Sequence, residues 1–124
     1  MDITAFNHFC QSLPATTYVV QWGGAHVWKV GGKVFALGGV GEDNQTWFTF
    51  KTSDQNYCFL ESHVGYRPAP YFASRGMKWI QQFAASDAQD EELTYYLLQS
   101  YKTVALGLSK RKRMELGIVD FVES

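Results

Sequence analysis

Val27-Trp28-Lys29-Val30-Gly31-Gly32-Lys33-Val34-Phe35-Ala36-Leu37 decides the fold class of this 124-residue chain. Two adjacent glycines accept the positive φ values of a type I′ turn, whose twist matches right-twisted strands on either side. A plain two-residue turn opposes Val30 to Lys33 and Trp28 to Phe35, an aromatic cross-strand pair, and sets His26 and Leu37 on one face. Working outward, Thr17–Gln21, Ala25–Val30, Lys33–Val40 and Thr46–Thr52 are short β-branched or aromatic runs broken by turn residues. The polar stretch 41–45 leads into Trp47-Phe48-Thr49-Phe50, where Phe48 and Phe50 share a face. The centre of the chain is therefore predicted to be an antiparallel meander.

Helices flank it. Ile3, Phe6, Phe9, Cys10 and Leu13 recur at helical spacing, Asp2 can cap that helix and Pro14 stops it. Ser53 can open a second, short helix with Asp54 in its first turn. Prolines 68 and 70 predict extended chain over Arg67–Tyr71, and Met77–Phe83 reads as one more strand. Leu93, Leu97, Tyr101 and Val104 form the buried stripe of a last helix. Asp87 or Ser86 can cap it, Asp90, Glu91 and Glu92 favour its start, and Gly107 can close it. Residues 109–124 read as a basic cluster and a short apolar tail. The expected architecture is α+β: an antiparallel meander sheet covered on one face by N- and C-terminal helices, in one domain over residues 1–124.

Composition narrows the function classes. The chain is 46% hydrophobic and 16% aromatic, enough to bury a core, which excludes disorder. No apolar run approaches the ~18 residues of a membrane span. The first residues lack the basic and apolar segments of a signal peptide, and Cys10 and Cys58 have no pairing grammar, so a cytoplasmic location is expected. His8, His26 and His63 are scattered without ligand spacing, and the expectation is no metal and no cofactor. No nucleophile elbow, phosphate loop or G-x-G-x-x-G is present, so no enzyme is expected. Gly38-Gly39-Val40-Gly41 matches an RNA-binding G-x-x-G loop only literally. It joins strands, and Glu42 and Asp43 follow it.

The net charge is -1, yet positive charge is concentrated. Residues 67–82 hold Arg67, Arg75 and Lys78 with no acid, interleaved with Tyr66, Tyr71 and Trp79. The cations can hold phosphates while Tyr71 or Trp79 stacks on a base; equally, the rings can be core and the cations a solvated rim. Lys110-Arg111-Lys112-Arg113 is a compact run that can bind an anionic partner or complement the negative end of the preceding helix.

In its order of elements the chain resembles the MmcQ/YjbR family of small bacterial proteins. The residues that carry the likeness are Ser12-Leu13-Pro14, the Val27–Leu37 hairpin, Pro68-Ala69-Pro70-Tyr71 to Lys78-Trp79, and Ser100-Tyr101 through Arg113. The resemblance covers about residues 2–113 and implies a frataxin-like (CyaY-like) sandwich and DNA binding in a double-wing arrangement. The Lys29–Lys33 hairpin would be a wing, with Trp79 and the basic run completing the surface. Many members carry a block of histidines and asparagines before the tryptophan. Here Tyr71–Lys78 replaces it, and no role of those polar residues carries over. Iron handling, which the frataxin-like fold raises, lacks its oxygen ligands, since Asp2 is the only acid of the first helix.

The leading expectation is a non-enzymatic DNA-binding protein that contacts phosphates through Lys29, Lys33, Arg67, Arg75, Lys78, Lys110, Arg111, Lys112 and Arg113, with Tyr71 and Trp79 alongside. The alternative is a module that takes a protein or small ligand on the Tyr66–Trp79 loop and the sheet face.

Overall fold

The computed structural model describes residues 1–84 and 87–124, Asp87 by its backbone alone. Helix α1 (Ile3–Ser12) starts where Asp2 accepts a hydrogen bond from the Ala5 amide at 2.8 Å, and it buries Phe6 and Cys10. Strands β1 (Thr16–Gln21), β2 (Ala25–Val30), β3 (Lys33–Val40) and β4 (Thr46–Lys51) form the expected meander. Then come α2 (Asp54–Leu60), capped by Ser53, and β5 (Tyr66–Pro68), a 3-10 turn at Ala73–Arg75, and β6 (Trp79–Gln82). Helices α3 (Asp90–Leu106), α4 (Lys110–Leu116) and α5 (Val119–Glu123) complete the chain. All strand pairs are antiparallel, in the order β1-β2-β3-β4-β6-β5, so β6 inserts between β4 and β5.

The two sides of the sheet differ. Trp28, Val30, Phe35, Phe48, Phe50 and Ile80 pack under α1 and α3, against Phe6, Leu93, Leu97 and Tyr101. On the second side Val27, Leu37 and Trp79 are covered by the loop from Ala69 to Met77, where Phe72 stacks on Trp79 at 4.8 Å between ring centroids. Helices cover one face only, as the patterning predicts.

Several details depart from the sequence reading. Trp28 pairs with Ala36 rather than Phe35, and Lys29 pairs with Val34, because a β-bulge makes Phe35 an extra residue. The bulge admits both Phe35 and Ala36 to the helix-covered core. It also separates His26, opposite Gly38, from Leu37, which faces Val27 on the other side. The consecutive apolar residues Phe35-Ala36-Leu37 break strict alternation and are its trace in the sequence. The extended chain stops at Pro68: Tyr71 takes φ 73° and a 3-10 turn follows. Strand β6 is shorter than Met77–Phe83. Residues 109–124 hold two helices instead of a tail; Ser109 accepts from the Lys112 amide, and Gly117 closes α4 in the left-handed region. The first turn of α3 has no side-chain cap from its N-cap residue Gln89. Ser86 and the side chain of Asp87 lie outside the described residues.

Candidate nucleic-acid interface

Strand directions give the sheet two ends. One holds the β2–β3 turn, the last residue of β4 and the first of β6. The other holds the β1–β2 turn at residues 22–24 and the β3–β4 loop at residues 41–45. At the first end Lys33 leads β3, Lys51 ends β4 opposite Trp79, and Lys78 precedes β6. The β2–β3 turn is packed on Leu108, just ahead of α4, which brings Lys110, Arg111 and Lys112 to the same end. All six side chains belong to exposed residues. Arg111 pairs with Glu115 at 3.4 Å but is 91% exposed, so that pair neutralises it weakly. Ammonium and guanidinium groups in the first turn of α4 also meet a helix end that disfavours positive charge, which an anionic partner would relieve.

The opposite end is acidic. Glu42 and Asp43 lie in the β3–β4 loop, and Asp2 and Asp90 flank the amino terminus, which reaches Asp90 Oδ1 at 2.8 Å. Glu92 stands beside His63 at 3.3 Å. Near-neutral total charge thus conceals a charge gradient along the strands, although Asp54 at the start of α2 and Glu115 and Glu123, which pair with Arg111 and Arg113, lie toward the cationic end.

The remaining residues of the expected interface are placed differently. Lys29 is half-buried on the second side of β2. Arg67 donates from Nε and Nη2 to Gln81 Oε1 at 2.9 and 2.7 Å and lies 4.5 Å over the Phe83 ring. Arg75 lies over Tyr71 and donates to its hydroxyl at 3.2 Å. Lys78, by contrast, belongs to the cationic end and from there lies 4.6 Å over the Tyr57 ring. Two side chains are turned into protein. Trp79 is buried under Phe72. Arg113, with its side chain 12% exposed, donates from Nη1 to the carbonyls of Leu106 and Leu108. It thereby satisfies the carbonyl end of α3, the role open to the whole basic run from sequence alone. Lys51 joins the cationic end without any local signal, as a single lysine closing a strand.

Among the described residues no group of three or more His, Cys, Asp or Glu can hold a metal ion, and no helix is long and apolar enough to cross a membrane. Cys10 is buried and Cys58 exposed, both as free thiols.

This α+β sandwich is shared with a solved structure, the crystal structure of Deinococcus radiodurans protein DR2400, described as a DUF419 domain. The two superpose with a TM-score of 0.79 at 22% identity, covering 93% of this chain and 87% of that one. The YjbR family model matches residues 11–103, and the chain belongs to the YjbR family. No functionally curated protein matches the sequence.

Proposed function

We propose that this protein is a non-enzymatic, cytoplasmic nucleic-acid-binding protein that grips duplex DNA by its phosphates at the cationic end of the sheet. The observation that carries this reading is the convergence of Lys33, Lys51, Lys78 and Lys110–Lys112 from four separate segments onto one end. Phosphate contacts of this kind supply affinity and position, and they need no pocket. The β2–β3 hairpin, seated on Leu108 two residues before α4, acts as a projection that carries Lys33 to the end of the sheet where that helix starts. The free thiols Cys10 and Cys58 suit a reducing compartment.

Fluorescence anisotropy of a labelled random duplex at several salt concentrations tests it. About six phosphate contacts give a log–log salt slope near -5, and a Lys51→Ala/Lys112→Ala double variant should flatten it by about 2. Absence of binding at low salt, or a slope unchanged in the double variant, would sink the reading.

A further inference from the structure

The second side of the sheet carries a cavity of about 430 Å³ lined by Trp22, Leu37, Tyr71 and Phe72. Leu37 and Phe72 belong to the packed cluster around Trp79 and form its inner wall. Trp22 and Tyr71 are different: they are 61% and 67% exposed, an unusual place to leave two large aromatic rings. Both also hold positive φ, 54° and 73°, a region that disfavours any residue bearing a Cβ. Trp22 stands in the β1–β2 turn and Tyr71 in the loop between β5 and β6. Two strained, exposed aromatics from separate connections thus meet at one cavity, and strain of this sort gathers at ligand sites.

Charge defines the occupant. Among the described residues the six strands contain no carboxylate, and their register puts Lys29 and Arg67 on this side of the sheet. Next to the cavity wall the Arg75 guanidinium lies 5.4 Å from the ring centre of Tyr71, to whose hydroxyl it also donates. We infer that the cavity binds a planar aromatic anion, its ring held by Trp22 and Tyr71 against Leu37 and Phe72, its acidic group beside Arg75. This inference does not rest on nucleic-acid binding, because the cavity and the cationic end use different residues.

The test is a titration of the 15N-labelled protein with 1-naphthoate, read on the tryptophan indole cross-peaks. The Trp22 signal should move saturably. The Trp28 indole, which donates to Asn7 Oδ1 at 2.9 Å on the far side of the sheet, should stay still. Trp22→Ala and Tyr71→Ala, from separate connections, should each weaken binding about tenfold. Arg75→Gln should cut the preference for naphthoate over neutral 1-naphthalenemethanol by about threefold or more, and Lys112→Ala should change nothing. No saturable shift at millimolar naphthoate would overturn the inference, as would unaltered affinity in whichever wall variant keeps the wild-type spectrum. Equal binding of the neutral compound would overturn it too.

Discussion

The Leu108 side chain fills the space that a Cβ on Gly31 would need: a carbon built there meets Leu108 Cδ1 at 2.5 Å. This contact docks the β2–β3 turn on Leu108, two residues ahead of α4, and so brings Lys33 and Lys110 to the same end of the sheet. Gly31→Ala must both strain a backbone at φ 59° and displace a buried leucine, so we expect a loss of about 1–3 kcal/mol. Gly32→Ala meets open space at φ 81° and should cost only about 1 kcal/mol. Thermal unfolding of both variants checks the difference; equal losses would deny the contact any weight.

Arg113 and Lys112 are neighbours in sequence with opposite fates. Arg113→Ala removes the donors to the Leu106 and Leu108 carbonyls and should destabilise the fold by about 1.5–3 kcal/mol. Lys112→Ala should leave stability within about 0.5 kcal/mol and lower the DNA salt slope by about 0.9. Urea denaturation and anisotropy on the same two proteins separate the roles. A destabilising Lys112→Ala would contradict them.

Ser100 joins α3 to the sheet. Its buried hydroxyl donates to the Phe35 carbonyl at 2.6 Å and accepts from the Lys51 amide at 2.9 Å. Ser100→Ala leaves both backbone groups without this partner, and a loss of about 2–3 kcal/mol is expected in urea denaturation. A change below half that value would mean that the two groups find other partners.

Alkaline pH should loosen the core. Burial pushes the Tyr101 hydroxyl up to about 12, and burial likewise raises Tyr66 and Tyr96. An unfolded tyrosine ionises near 10, so the folded state holds the proton more firmly above that pH. The stabilisation is complete below pH ~10 and is lost progressively from there toward pH ~12. Urea midpoints measured at pH 8, 10 and 11.5 should fall most across the upper interval, and less steeply in Tyr101→Phe. The Cys10 thiol, likewise pushed up by burial, adds a fall that begins at pH ~9. A midpoint that is flat to pH 11.5 would rule this out.

Most of the fold was legible because its signals are local. The Gly31-Gly32 pair announces the hairpin, Asp2 and Ser53 announce helix starts, and the spacing of Leu93, Leu97, Tyr101 and Val104 announces α3. Helix α4 escaped because Lys110–Arg113 shows no apolar periodicity; its readable marks are only the Ser109 and Gly117 caps. The β-bulge has no turn residue to mark it: strict alternation through Phe35-Ala36-Leu37 is broken by core packing, which admits two successive residues. Of the candidate site, Lys78 and Lys110–Lys112 were legible as charge blocks, and Lys33 through the hairpin that the family resemblance makes a wing. Lys51 and Trp22 were not, since neither a single lysine nor a single tryptophan carries a pattern.

Sequence alone determined the α+β class, the sided sheet and the helices that cover one side, because periodicity and turn chemistry act over a few residues. Tertiary structure decided which charges meet. Only the insertion of β6 between β4 and β5 sets Lys78 beside Lys51, and only the seat of the hairpin on Leu108 brings Lys33 and Lys110 to one end. Those pairings depend on contacts between residues far apart in the chain, whose free energy comes from burying the shared core and leaves no mark in any short stretch of sequence.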